Sequence, residues 1–400
     1  MSMEYQRALG RRIAQERKRR GLSQAELARL VDRSVAWISQ VERGVRKVDR
    51  MSVLEKVAET LDVPLSELAA EAPVVAATTE EMPGAAGLRL VLSGAHSLQA
   101  MLQAAPAPPA DQLKPRVDHA WELTHQSRYV ELTELLQGLV PTLENAIRSA
   151  PAEHQAELFE LLAIIYQACS ASLAKLGEPE AAWIAADRAI NAAERAGNPL
   201  MMAAGIFRLG FVFLGARQFD QVEESARTAA EALGSLIDAG EVGAMSLQGG
   251  LTLQRAVAAA QLNQAETAYE HLSRAREMAA RVGEGRNDYN TEFGPANVAL
   301  HEVAVAVEVG DAGHALRAGT TVDASTLSTE RRARLAVDLA RAHAQRRQVN
   351  EAVARLLEAE SITPEQIRNH RVVRQLVSDL LSMQDPASAE LRGLADRVGC

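Results

Sequence analysis

The sequence predicts an all-α protein, and two observations lead to this prediction. The chain is rich in alanine, leucine, glutamate, arginine and glutamine, and only 4% of its residues are aromatic; this composition favours helix. Apolar residues also recur three and four positions apart in segment after segment, which is the spacing of one face of a helix. With 400 residues, the chain is expected to hold at least two domains.

Two short helices around a tight turn are predicted between Leu22 and Gly44. Ser23 followed by Glu26 has the spacing of a capping box, so a helix is expected to start at Ser23. Asp32 lies where the chain must reverse, and aspartate tolerates the left-handed backbone conformation. The inner face of this first helix consists of three apolar residues: Leu27, Ala28 and Val31.

The second helix of the pair is expected to be capped by Ser34 and to end at Gly44. Ile38 and Val41 form its inward face. Its outward face is small or polar and consists of Ser34, Val35, Ala36, Ser39, Gln40 and Arg43. A helix that is anchored on its apolar side and narrow on its outer side fits the major groove of DNA.

These residues resemble a known family. Residues 21–28 (GLSQAELA) and 37–44 (WISQVERG) are similar to the Cro/C1-type helix-turn-helix of the xenobiotic-response-element (XRE) family, and the similarity extends over residues 7–69. The resemblance implies a five-helix DNA-binding domain at residues 1–70, in which Gln24 and Arg43 contact phosphates. It also implies that four residues face base edges: Ser34, Val35, Ala36 and Gln40.

The same resemblance implies an ion pair between Arg17 and Glu42. The sequence departs from the family at Asp32, where glycine is usual, and at Arg33, where an apolar residue usually enters the core. Trp37 has two interpretations, a contact with the DNA backbone or partial packing against the first helix of the domain. A basic loop after the motif is predicted to lie along the DNA backbone and contains Arg46, Lys47 and Arg50.

Charge divides the chain in the same way. The formal net charge is −9, but residues 1–70 carry a balance of +4 and the remainder carries −13. A basic head on an acidic body is typical of a protein whose head meets phosphate and whose body does not.

Residues 71–112 are predicted to be a linker because they are rich in proline, alanine and glycine. Within them, leucine and alanine recur at helical spacing between Leu88 and Leu102. This short helix has two interpretations: it covers an apolar face of the next domain, or it forms a contact between two copies of the chain.

Residues 113–400 are predicted to be a tetratricopeptide-like solenoid of helical pairs. Small apolar residues recur at one position of the second helix of each pair, at 182, 222, 268, 315 and 352, with spacings of 40, 46, 47 and 37. These spacings exceed the usual period of about 34 and vary, so the array is divergent. An irregular helical bundle is the alternative.

No catalytic or cofactor motif is present in the sequence. His301-Glu302 lacks the second histidine of a zinc-protease motif, no phosphate-binding loop occurs, and no histidine–cysteine cluster has zinc spacing. We therefore expect neither enzyme activity, nor a metal, nor a cofactor. Two cysteines, Cys169 and Cys400, suggest no disulfide framework, and no run of about 18 apolar residues is found, so a cytoplasmic protein without a membrane partner is expected.

One segment of the body differs from the helical pattern. Residues 287–297 gather amides, two aromatic residues and a proline before the helix that carries His301. Amides can bind a peptide backbone, so a ligand site is predicted from Asn290, Phe293, Asn297 and His301. An ordinary loop with a capping residue is the alternative. The order of domains resembles that of the peptide-responsive regulators of the Rgg type.

The predicted function is that of a sequence-specific transcriptional regulator. Helix 34–43 is expected to read a two-fold, double-stranded DNA operator. A homodimer is expected to form through residues 113–400, and a peptide or small-molecule effector is expected to bind there. The alternative is a helical protein-interaction scaffold with a weak or vestigial DNA-binding head.

Overall fold

The structure is a computed structural model, and it describes residues 3–19, 22–46, 48, 51–61, 63, 85–93, 108–384 and 386–400. The chain divides into two compact units, Met1–Glu81 and Met82–Cys400, called the head and the body below. The described part of the chain is helical and contains no strand, which confirms the all-α prediction.

Four helices of the head are described: α1 (Met3–Arg19), α2 (Gln24–Leu30), α3 (Val35–Glu42) and α4 (Met51–Leu61). Their apolar faces form one core, which includes Ile13, Leu27 and Ile38 at 1% exposure or less. α1 packs very closely on α3, because a Cβ atom at Gly10 would lie 2.2 Å from the carbonyl oxygen of Val41. The predicted fifth helix at 64–70, Lys47 and Arg50 lie outside the described residues.

The body begins with α5 (Ala85–Leu92) and continues with six helical pairs. Their first and second helices are α6 (Ala110–His125) and α7 (Tyr129–Ser149), α8 (Ala152–Lys175) and α9 (Pro179–Ala196), α10 (Pro199–Gly215) and α11 (Phe219–Asp238), α12 (Val242–Gln261) and α13 (Ala265–Val282), α14 (Pro295–Glu308) and α15 (Ala312–Gly319), and α16 (Thr329–Gln345) and α17 (Val349–Ile362). Three helices follow: α18 (Pro364–Asn369), α19 (Arg371–Met383) and α20 (Ala389–Val398).

The same turn joins the two helices of every pair. One residue of the turn is left-handed, with φ between 57° and 84°, and the second helix starts two residues later; these residues are Ser127, Gly177, Arg217, Asn263, Gly310 and Arg347. The next backbone N–H donates to the carbonyl five residues before it, at N···O distances of 2.8–3.0 Å in all six turns. This is the 6→1 bond of the Schellman motif, which ends the first helix and reverses the chain.

The position at which the sequence repeats a small apolar residue is the fourth residue of the second helix in every pair. It is at most 1% exposed at Leu132, Ala182, Val222, Ala268, Ala315 and Ala352. Small residues there let the second helix approach its neighbours closely. The tetratricopeptide-like solenoid of helical pairs is therefore confirmed, and it contains one more pair than the sequence pattern predicts, because leucine occupies the key position in α7.

The ends of the pair array contact each other. Ser127, in the turn of the first pair, donates a hydrogen bond to Gln366 of α18 at 2.8 Å, and the backbone N–H of Tyr129 donates to Glu365 at 3.1 Å. The Lys175 ammonium at the end of α8 lies 3.2 Å from the Glu330 carboxylate at the start of α16. The superhelix of the body therefore closes on itself.

The described part of the helix predicted between Leu88 and Leu102 belongs to the core of the body, and positions 94–102 lie outside the described residues. Leu88 and Leu92 of α5 are 0% and 5% exposed and pack in one cluster with the first two helical pairs. The Arg89 guanidinium also bonds the Glu178 carboxylate at 2.9 Å. Of the two interpretations of this helix, the structure agrees with the cover over an apolar face. The predicted boundaries at residues 70 and 113 remain predictions.

One described helix, α8, is long and apolar enough to cross a membrane by length and composition alone, with a mean hydropathy of 1.3 over its most apolar window. However, 72% of that window is buried within the protein, and a core helix meets the same two criteria.

Candidate functional site

The turn between α2 and α3 is fixed by short polar side chains. The Glu26 N–H donates to Ser23 Oγ at 3.2 Å, and the Ser23 N–H donates back to the Glu26 carboxylate at 2.7 Å, which completes a capping box. Asp32 takes the left-handed conformation, with φ of 53°. Ser34 then caps α3 by accepting a hydrogen bond from the Trp37 N–H at 3.1 Å. Hydrogen bonds between near neighbours in the sequence therefore fix the turn between α2 and α3.

The outer face of α3 is open. Ser34, Val35 and Ala36 are exposed, Val35 at 47%. Gln40 is half-buried, and its side-chain oxygen accepts a hydrogen bond from Arg46 at 3.3 Å. This places an amide beside a cation at the end of the exposed face. Arg43 is exposed and donates to the Ser39 carbonyl at 3.1 Å.

Trp37 is half-buried and packs at the edge of the head core. The Arg33 guanidinium lies 5.8 Å from the centroid of its ring and also donates a hydrogen bond to the Asp32 carbonyl at 2.8 Å. The arginine that replaces the usual apolar residue therefore turns outward and covers the indole, in a cation–π contact. Trp37 is thus partly packed against the head core, and its contact with the DNA backbone stays a prediction.

Arg17 and Glu42 form a bidentate ion pair between α1 and α3, with N···O distances of 2.5 and 2.9 Å and side-chain exposures of 9% and 7%. Arg17 also donates to the Leu22 carbonyl at 2.7 Å, and Gln24 donates to the Glu42 carboxylate at 2.7 Å. Burial opposes ionisation of Glu42, but the hydrogen bonds from Arg17 and Gln24 keep its pKa below the ordinary value. The amide of Gln24 thus contacts the ion pair.

The comparison with protein families adds one match to this geometry. A model described as a helix-turn-helix domain matches residues 8–70. The head is a helix-turn-helix domain. A comparison with curated protein sequences finds no match.

Two solved structures are similar to the chain at low identity. The first is PlcR of Bacillus thuringiensis in complex with the peptide PapR7 and DNA, at 15% identity and a TM-score of 0.30, covering 90% of this chain and 99% of that one. The second is the apo form of the competence regulator ComR from Streptococcus vestibularis, at 12% identity and a TM-score of 0.25, covering 75% and 99%.

The body carries a second candidate site, a cluster of buried and half-buried ionisable side chains called the inner cluster here. Its members come from the first helices of the pairs and from the segment between α13 and α14: His125, Lys175, Arg208, Glu292, Glu330 and Arg331. Arg208, Glu330 and Arg331 are only 5–6% exposed. Burial lowers the pKa of Arg208 to about 9, helped by the nearby charge of Arg331. Burial also lowers the pKa of His125.

The arginines of the inner cluster hold the backbone of the segment 287–293, called the inner segment. One nitrogen of Arg208 donates to the carbonyls of Tyr289 and Asn290, at 2.9 and 2.7 Å. Arg331 bonds the Glu292 carboxylate at 3.2 Å and reaches the Thr291 carbonyl at 3.5 Å. The aliphatic and aromatic neighbours of Arg208 include the Trp121 ring, 4.7 Å from its guanidinium carbon.

Of the predicted ligand residues of the body, Asn290 and Phe293 belong to this segment, Asn297 bonds it, and His301 bonds only the backbone of Asn297. Phe293, Asn297 and His301 are 1%, 3% and 4% exposed, and Asn290 is half-buried. Asn297 donates to the Glu292 carbonyl at 2.8 Å, and His301 Nδ1 donates to the Asn297 carbonyl at 2.8 Å. Burial lowers the pKa of His301 well below its ordinary value, so the ring is neutral. In this structure Asn297 holds the inner segment, and the burial of Phe293, Asn297 and His301 leaves little surface for a ligand.

The sequence analysis missed Arg208 and Arg331, the two residues that contact the segment most directly. One signal was present: Arg208 is the lone charge within the apolar helix α10. A charge there must find polar partners. Three polar atoms on residues beside the segment have no hydrogen-bond partner among the described residues: His125 Nε2, Arg208 Nε and Asn297 Oδ1.

A surface cavity of about 440 Å³ lies elsewhere in the body, between α7, α8 and α9. Two of its arginines lie over its own aromatic rings, with Arg195 4.0 Å from the ring centre of Phe159 and Arg188 5.7 Å from that of Tyr166. Tyr166 donates a hydrogen bond to Glu144 at 2.8 Å on the cavity wall. Among the residues that the structure describes, no group of three or more histidine, cysteine, aspartate or glutamate side chains could hold a metal ion.

Proposed function

We propose that this protein is a cytoplasmic transcriptional regulator that reads a DNA operator with α3. The observation that supports the proposal best is the exposed face of α3 in a matched helix-turn-helix domain, with cations at its end. Val35 and Ala36 are suited to thymine methyl groups, and Gln40 is suited to the edge of adenine. Arg43 and Arg46 are suited to the phosphates that flank that groove.

The experiment that tests this function is selection of a binding site from random DNA by the full chain, followed by titration at several salt concentrations. Gln40→Ala is expected to relax specificity at one base pair, at a cost of about 1–3 kcal/mol. Arg43→Ala is expected to weaken binding to all sequences about equally and to reduce the salt dependence.

A failure of this experiment has a clear form. If no sequence is selected, or if both variants bind the selected site as tightly as the wild type, α3 does not read DNA. The scaffold interpretation would then be favoured, with the head as a protein-binding module.

A homodimer is part of the proposal, because one head offers a single recognition helix. Two heads on half-sites about 34 Å apart would bind together, and joining them raises avidity by roughly 10²–10⁴. We assign the contact to the body near Trp183 and Ile184 of α9, which are 52% and 50% exposed. Trp183→Asp is expected to give a monomer, whereas Leu262→Asp, at a site of 47% exposure on another helix pair, is expected to remain dimeric.

The effector of this regulator is proposed to be a peptide that binds the inner cluster of the body. The supporting observation is chemical: buried guanidinium groups there donate hydrogen bonds to consecutive backbone carbonyls. Any peptide presents the same carbonyls, so the cluster has the donors to hold one. We propose no catalytic reaction and no cofactor.

A further inference from the structure

The inner segment has a strained backbone. Tyr289, Asn290 and Glu292 have φ of 53°, 54° and 51°, in the left-handed region that residues with a side chain seldom adopt. Three such residues within four positions persist only where surrounding contacts impose the conformation. The segment is therefore held in place by the inner cluster.

Two glycines of α12 make room for the two aromatic rings of the segment. A Cβ atom at Gly249 would lie 2.0 Å from Phe293 Cζ, and one at Gly243 would lie 2.8 Å from Tyr289 Cε2. Ser246, between them, donates a hydrogen bond to Asp288 at 3.0 Å. α12 thus presents two shallow recesses with a polar group between them, and the segment fills both recesses.

The contacts of the segment define what a replacement would have to supply. Arg208 donates hydrogen bonds to two backbone carbonyls, and Arg331 donates one to a carboxylate. The recess at Gly249 accommodates a phenyl ring. Lys175 adds positive charge near the carboxylate, and Glu330 is the carboxylate that faces Lys175 from α16. His125 lies beside them as a neutral ring, because burial lowers its pKa. A replacement peptide without an acidic side chain would lack the carboxylate that accepts the hydrogen bond from Arg331 in this structure.

We propose that the inner segment is a built-in occupant of the effector site, and that the effector is a linear acidic peptide which displaces it. This inference rests on the proposed function, because it specifies the ligand and the regulation of the same site. A tethered occupant competes at a high effective concentration. The affinity of the effector for a site from which the inner segment has been removed must therefore be much higher than its apparent affinity for the wild-type protein.

The experiment uses the full chain and a labelled synthetic peptide with the sequence of residues 287–293, NDYNTEF. In the variant Tyr289→Ser, Glu292→Ser, Phe293→Ser, the segment loses both ring contacts and its carboxylate bond to Arg331, while the recesses, the arginines and the bond between Ser246 and Asp288 remain. Fluorescence anisotropy is expected to show that this variant binds the peptide at least about 100-fold more tightly than the wild type. A scrambled peptide is the control.

Two further measurements test the chemistry of the site. A peptide with glutamine in place of its glutamate is expected to bind the segment variant at least about tenfold more weakly, because the charge-assisted bond to Arg331 is lost. Adding Arg208→Met to the segment variant is expected to reduce binding by a similar factor or more. Equal binding by wild type and segment variant, or no binding by a folded segment variant, would overturn the proposal.

If the triple variant does not fold, as judged by circular dichroism, Glu292→Gln decides the question. It keeps both rings and is expected to bind the peptide about tenfold more tightly than the wild type. Unchanged binding would refute the proposal that the inner segment occupies the effector site. The DNA titration is independent of these measurements. Loss of the peptide result with intact operator binding refutes this inference alone, whereas peptide binding without operator binding refutes the proposed regulator.

Discussion

Replacing Glu42 by leucine removes one member of the buried ion pair of the head. The substitution breaks two hydrogen bonds to Arg17, at 2.5 and 2.9 Å, and one from Gln24 at 2.7 Å. It leaves a guanidinium on a side chain that is 9% exposed. Removing one partner of a buried pair costs about 3–5 kcal/mol, because the remaining charge is stranded.

We expect the lower end of that range, about 3 kcal/mol, because Arg17 keeps its bond to the Leu22 carbonyl at 2.7 Å. The assay is the unfolding of residues 1–81 in urea, monitored by circular dichroism. With a slope of about 1 kcal/mol per molar urea, the midpoint falls by about 3 M. Glu59→Ala, an exposed position on α4, is the control and is expected to change stability by less than about 0.5 kcal/mol.

The double variant Arg17→Met, Glu42→Leu shows how much of the lost stability comes from the unpaired charge of Arg17 and how much from the loss of the ion pair itself. Replacing both partners by apolar residues of similar volume is often close to neutral, so the double variant is expected to recover most of the stability that Glu42→Leu loses. If Glu42→Leu and Glu59→Ala had equal midpoints, the pair would not stabilise the head and this reasoning would be refuted.

Three other measurements test the body and the assembly. His301 is neutral when buried but binds a proton below about pH 6.5 when unfolded, so stability is greatest above that pH and falls as pH decreases, by at most about 1.4 kcal/mol per pH unit; unfolding curves from pH 7.5 to 5.5 check this, and His301→Gln should flatten the slope. Arg347→Gly, at a left-handed turn position, should stabilise by up to about 1 kcal/mol, whereas Gly177→Ala should destabilise; the reverse order in thermal melts would contradict the turn analysis. Light scattering should find residues 1–81 monomeric and 82–400 dimeric, and a monomeric body would exclude the proposed contact.

Local chemistry made much of the fold predictable from the sequence. The capping box at Ser23, the turn at Asp32 and the cap at Ser34 each depend on neighbours within a few residues, and each is present in the structure. The second helices could be predicted wherever a small residue marked their fourth position. α7 was missed because Leu132, a larger residue, fills that position.

The inner cluster could not be predicted in the same way. Arg208 meets the inner segment from a helix 81 and 82 positions away in the chain, and Arg331 meets it from the other side. Such contacts depend on how the six pairs curve, which is set by packing over the whole body. Asn297 and His301 were noticed for their chemistry, but only the fold shows that Asn297 bonds the segment and that His301 bonds the carbonyl of Asn297.

The closure of the body has a consequence for its folding. A linear array of repeats contacts only its neighbours, so it can form step by step from one end and fray from the other. Here Ser127 and Tyr129 bond residues 366 and 365, and Lys175 bonds Glu330. During synthesis on the ribosome, the first pairs must wait for α16 and α18 to emerge before these bonds can form. We therefore expect the body to unfold as one cooperative unit, with slow formation of its most distant contacts.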